Sequence, residues 1–149
     1  LMQKLDKNIV IISTLMTTLA WLYVVFSYNN LPSKIVGHMD LEGNITRLDD
    51  KSTIWILPMI FTGLQILIYW FSKKIKFKNS NLKNDAAQKT VSLFMLPYIA
   101  VILLVVEILI IEKSNNPILD LSYLLFVIVS FTILFLILLF SFIYKNLNT

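Results

Sequence analysis

The chain has 149 residues, 57% hydrophobic and only 15% charged, with a formal charge of +4. Soluble domains carry roughly 25% charged residues, so this balance, with a mean hydropathy of +0.75, excludes a disordered chain and a water-soluble globule. The lack of cysteine excludes a disulfide scaffold, thiolate metal sites and thiol nucleophiles.

Residues 9–28 form an uncharged run of helical composition, long enough to cross a hydrocarbon core that needs about 20 apolar residues. The run is too long for the core of a cleaved leader, and no small-residue cleavage pattern follows it, so it is expected to stay as an anchor. Ser13, Thr14, Thr17 and Thr18 make a small polar stripe of the kind that lets membrane helices approach closely. Residues 29–51 follow as a loop, with Pro32 ending the helix and Gly37 and Gly43 permitting tight turns. This loop holds the only histidine, His38, alternating with Asp40 and Glu42.

The second span, residues 52–72, is again uncharged. Pro58, Thr62 and Gln65 share one helical face there, and Pro58 is expected to free a carbonyl one turn earlier and kink the helix. Residues 73–89 form a lysine-rich loop. The third span, residues 90–111, places Pro97, Ala100, Leu104 and Glu107 at helical spacing. Glu107 is the one formal charge inside any span, and an acid in lipid is a functional candidate by default. Its place about one turn from the expected helix end favours instead an interfacial carboxylate, paired with Lys51, Arg47 or Lys113. Residues 121–144 are almost entirely Leu, Ile, Val and Phe, so the fourth helix should face lipid most. The sum is an all-α fold: one integral membrane domain over residues 1–149, a four-helix bundle with an ordered extracytoplasmic loop between helices one and two.

Charge sets the orientation. Lys73, Lys74, Lys76, Lys78, Lys83 and Lys89, with Lys4, Lys7 and Lys145, fall on one side of a four-pass chain; Lys34, Arg47, Lys51 and Lys113 fall on the other. The positive-inside rule puts both termini and the lysine loop in the cytoplasm. Trp21, Tyr23, Tyr28, Trp55, Tyr69, Trp70, Tyr123 and Tyr144 lie near span ends, as in interfacial belts. The lysines are read as topology and headgroup contacts, not as a nucleic-acid surface, because only Phe77 is interleaved among them.

The outer loop resembles a known family. Leu31, Pro32, Ile35, His38, Gly43 and Lys51 match, in order and spacing, the pattern of the membrane family called domain of unknown function 1648, with Asp40 where Asn or Asp is usual. Val36, Met39, Leu48 and Asp49 depart from it. The resemblance covers roughly residues 21–70. It implies a bacterial inner-membrane protein and, since the family includes the SdpI-type immunity proteins, an outer loop that recognises a toxin, peptide or envelope partner.

Chemistry beyond recognition has little to stand on. There is no second histidine, no HExxH, no GxSxG and no phosphate-binding glycine loop, so an enzyme is not expected. In an extended backbone His38, Asp40 and Glu42 would share a side, which leaves three readings: a loop lock, a partner surface or a divalent-metal set. The lock is preferred, with His38 held by Asp40, Glu42 or Glu107, and no metal or cofactor is assigned. Leu31, Pro32, His38, Asp40, Gly43 and Lys51 are thus the partner-binding or loop-structuring candidates. Gln65 and Glu107 are the intramembrane polar candidates, and the faces carrying them are what a small transporter or channel component would use. The bilayer is the expected main partner, and self-association is compatible with so apolar a chain.

Overall fold

A computed structural model describes residues 2–40, 42–74, 85–120 and 122–147. Four of its helical segments are long and apolar enough to cross a membrane. Helix α1 spans Met2–Tyr28, and the chain then turns into strands β1, Lys34–Met39, and β2, Ile45–Asp50. A 3₁₀ turn, Lys51–Trp55, leads into α2, Ile56–Lys74. The third crossing is two helices in series, α3 at Asp85–Leu93 and α4 at Met95–Asn115; α5, Ser122–Lys145, makes the fourth. Much of the lysine loop, including Lys76, Lys78 and Lys83, lies outside the described residues, as does the expected first residue of the fourth span.

Two prolines explain two boundaries. Pro97 cannot donate to the Leu93 carbonyl, and its ring crowds that group. The helix breaks there, with the Phe94 amide bonded back to the Thr90 carbonyl at 3.1 Å. Pro58 does not kink its helix. It is the third residue of α2, in the first turn, where backbone donors have no partner to lose.

The loop expected between the first two spans contains an antiparallel hairpin, an element absent from an all-α reading. Lys34 pairs with Asp50, Ile35 with Asp49 and Val36 with Leu48; the register slips around Gly37 and His38 before Met39 meets Ile45. The turn needs Gly43, whose φ of 83° is the left-handed conformation that costs a side chain.

Helix α4 is the axis of the bundle and packs on α1, α2, α3, α5 and β1. Its buried residues Leu96, Ala100, Leu103, Glu107 and Ile111 recur at helical spacing and make one face. Ile9 of α1 clusters with Leu93 and Leu96, while Val24 clusters with Ile111. The two helices therefore run parallel in a steady register that brings Ala20 level with Glu107 and Ser13 level with Ala100. Small residues on both sides allow that close approach. Ala20, Ala100 and Glu107 are all fully buried.

At one end Leu31, Ile35 and Ile54 join Val24 and Ile111, so the hairpin is seated on the ends of α1 and α4. At the other, Asp6 accepts hydrogen bonds from Lys89 Nζ at 2.8 Å and Thr90 Oγ1 at 2.7 Å, pinning α1 to α3. Helix α5 leans on α4 through Leu124 and Ile128, and through Phe131 and Phe135 against Tyr98. It is the least buried span, with Phe126, Ile137 and Phe140 outward, as its sequence suggested.

Candidate functional site

The hairpin is built by the residues that carried the sequence pattern. Leu31 is buried beneath it. Lys51 reaches back to the Leu31 carbonyl at 3.4 Å and lies over the Tyr28 ring, while its amide bonds the Ser33 carbonyl. Pro32 is exposed where the chain leaves α1. Asp40 closes the turn: its Oδ1 accepts from the amides of Glu42 and Asn44 at 3.0 and 2.8 Å, and its Oδ2 from Asn44 Nδ2 at 2.9 Å. These donors, the Asn44 side chain foremost, hold the Asp40 carboxyl below the usual carboxylate range.

Among the described residues His38 does not pair with a carboxylate. Its Nδ1 shares a hydrogen bond with Thr46 Oγ1 at 2.6 Å, across the strands. Asp40 is committed to the turn, and Glu42 lies beyond the end of β1, so the alternation seen in the sequence is not one strand face. Among the described residues no three His, Asp or Glu side chains are grouped so as to hold a metal.

Glu107 is also not where its sequence position suggested. It lies eight residues before the end of α4, about 12 Å deep along the axis, because the helix continues to Asn115 rather than ending near Ile111. Neither carboxyl oxygen has a hydrogen-bond partner among the described residues. The cations expected to pair with it are used elsewhere: Lys51 on Leu31, Arg47 on Asp49 at 2.9 Å, and Lys113 on the Leu119 carbonyl at 2.9 Å. At the hairpin end of α4 it is Glu112, unremarked in the sequence, that is paired, accepting from the Tyr23 hydroxyl.

Two hollows flank α4. The first, of about 410 Å³, lies between the hairpin turn, the end of α4 and the approach to α5. Val106, Leu109, Ile110 and Ile128 give it an apolar floor; His38, Asp40, Glu42, Lys113 and Asp120 give it a polar rim. The second, of about 500 Å³, lies within the membrane span between α1 and α2, lined by Thr14, Thr17, Thr18, Thr62 and Gln65 among apolar neighbours. Thr17 Oγ1 lies 2.9 Å from Gln65 Oε1, and Trp21 Nε1 donates to Thr62 Oγ1 at 3.0 Å. Gln65 Nε2 is buried without a partner among the described residues.

The family model described as Domain of unknown function (DUF1648) matches residues 15–62. These residues belong to the DUF1648 family. The DUF1648 segment thus runs from the middle of α1, through the hairpin, to Thr62 on the polar face of α2. It supplies the turn side of the cleft beneath the hairpin and most of the threonines of the hollow between α1 and α2, whereas α4 and α5 lie beyond it. No curated protein and no solved structure matches the chain.

Proposed function

We propose that this is a non-enzymatic protein of the bacterial cytoplasmic membrane, without cofactor, whose hairpin face recognises an amphipathic, cationic peptide segment from outside the cell. The observation that carries the reading is the cleft beneath the hairpin. Its apolar floor sits on membrane helices, and its rim sets three acids, Asp40, Glu42 and Asp120, against one lysine, Lys113. A peptide entering from the bilayer surface would lay apolar side chains on that floor and basic ones along the rim, with charge complementarity acting mainly on specificity and capture rate. Such capture is what an immunity or signalling role against a peptide toxin requires. The positive-inside distribution of lysines supports an outward hairpin.

The test is binding of a synthetic lysine–leucine amphipathic helix to the protein in nanodiscs of zwitterionic lipid, with empty discs as reference. Affinity above the empty discs, weakened by Glu42→Lys and by added salt, is expected. Equal binding by empty discs, or no change in Glu42→Lys, would contradict the reading.

A second reading, a small transport component, is favoured by the threonine-lined hollow between α1 and α2. It would be selected if Gln65→Leu abolished function in cells while Glu42→Lys left function intact.

A further inference from the structure

Glu107 is fully buried, about 12 Å from the end of its helix, with neither carboxyl oxygen hydrogen-bonded among the described residues. A charge in that position would have neither water nor a partner, an arrangement far costlier than a neutral acid. The titratable and charged groups on the packed elements do not relieve it. On α1, Tyr23 is bonded to Glu112, and Asp6 is at the opposite end with Lys89 and Thr90. Tyr69, Lys73 and Lys74 of α2 and Asp85 of α3 belong to that far end as well. On α4 itself Tyr98 contacts Thr132 and Lys113 caps Leu119. Lys34 and His38 of β1 bond Asp50 and Thr46, and Tyr123, Tyr144 and Lys145 of α5 are exposed.

We propose that Glu107 is a membrane-embedded proton-binding site: the resting protein holds it as the neutral acid in the α1–α4 seam, and release of the proton lifts the hairpin from the helix ends. The coupling follows from what lies between Glu107 and the hairpin end of the bundle. One turn further along the same face is Ile111, which is packed with Val24 of α1 and Ile35 of β1. Hydrating an ionised Glu107 from the hairpin end therefore means parting Ile111 from both. The same movement strains the bond from the Val36 amide to Ser114 Oγ, 2.9 Å, which ties β1 to α4. Proton occupancy at Glu107 and seating of the hairpin are thus two states of one contact. The inference does not depend on what the outer cleft binds.

The experiment is infrared difference spectroscopy of the reconstituted protein in heavy water, wild type minus Glu107→Gln. A carbonyl stretch at the high-frequency end for carboxylic acids, the signature of an acid without hydrogen bonds, is expected at neutral pH and is lost in Glu107→Gln. Glu107→Asp, which keeps an acid, should shift the band rather than lose it, and secures the assignment if the Gln variant folds poorly. In a Trp70→Phe background the remaining Trp21 and Trp55 report on the hairpin side. Raising the pH should convert the acid band to carboxylate and increase quenching of these tryptophans by acrylamide together, with no such rise in Glu107→Gln. A carboxylate signal at neutral pH would overturn the proton site. A quenching rise of equal size in both proteins would overturn the coupling.

Discussion

Asp40 holds the hairpin turn with both carboxylate oxygens, which accept from the Glu42 and Asn44 amides and the Asn44 side chain, while its carbonyl accepts from the Gly43 amide. Because these bonds favour the ionised form, the folded-state value is depressed. The contribution of Asp40 is therefore full above the ordinary carboxylate range and is lost as pH falls through the lowered value. Amide exchange at Asn44 should rise on acidification through that range, and Asp40→Asn should remove most of the pH dependence. Gly43→Ala, which forces a side chain into positive φ, should cost about 1 kcal/mol, read as a lowered thermal midpoint. His38 acts through Thr46, so His38→Gln, which keeps a bonding group, should be milder than His38→Ala, itself within about 1 kcal/mol for an exposed hydrogen bond. Gly43 was legible as a turn position because it carries a local backbone preference, whereas Asp40, grouped in the sequence with His38 and Glu42, was not legible as the residue that closes the turn. Nor was the partner of His38, because a cross-strand neighbour depends on a register that slips at Gly37.

At the scale of elements, hydropathy located the four crossings because length and composition alone decide what lipid will accept. It could not locate their ends. Helix α1 begins seven residues before the predicted span and α4 continues four beyond it, since helices persist into charged segments once Asp6 and Glu112 find partners. That extension is what moved Glu107 from the interface into the interior. The hairpin was missed as a strand pair because KIVGHM and ITRLDD do not alternate cleanly; Ile35 and Val36 are both buried, one on the helix ends and one beside Ser114. Between membrane helices apolar burial supplies no net drive, so close packing and hydrogen bonds carry association. Thr17→Val, which removes the bond to Gln65, should destabilise the α1–α2 contact by about 0.6 kcal/mol in a steric-trap or unfolding assay. Pro97→Ala should join α3 and α4 and pull Asp6 from Thr90, seen as faster exchange at the start of α1.

For the whole molecule, the two ends are differently made. One end is closed by the Asp6–Lys89–Thr90 cluster beside the lysines, and the other is closed by a hairpin over a polar-rimmed cleft. A role in recognition requires the hairpin end to face outward. The chain has no cysteine, so single cysteines report without background. Glu42→Cys, in the exposed turn, and Lys74→Cys, at the opposite end of α2, should be treated in intact cells with a membrane-impermeant maleimide. Labelling at position 42 without lysis, and at position 74 only after lysis, is the expected result. Labelling at 74 in intact cells with 42 protected would place the hairpin inside and contradict the recognition of any partner from outside.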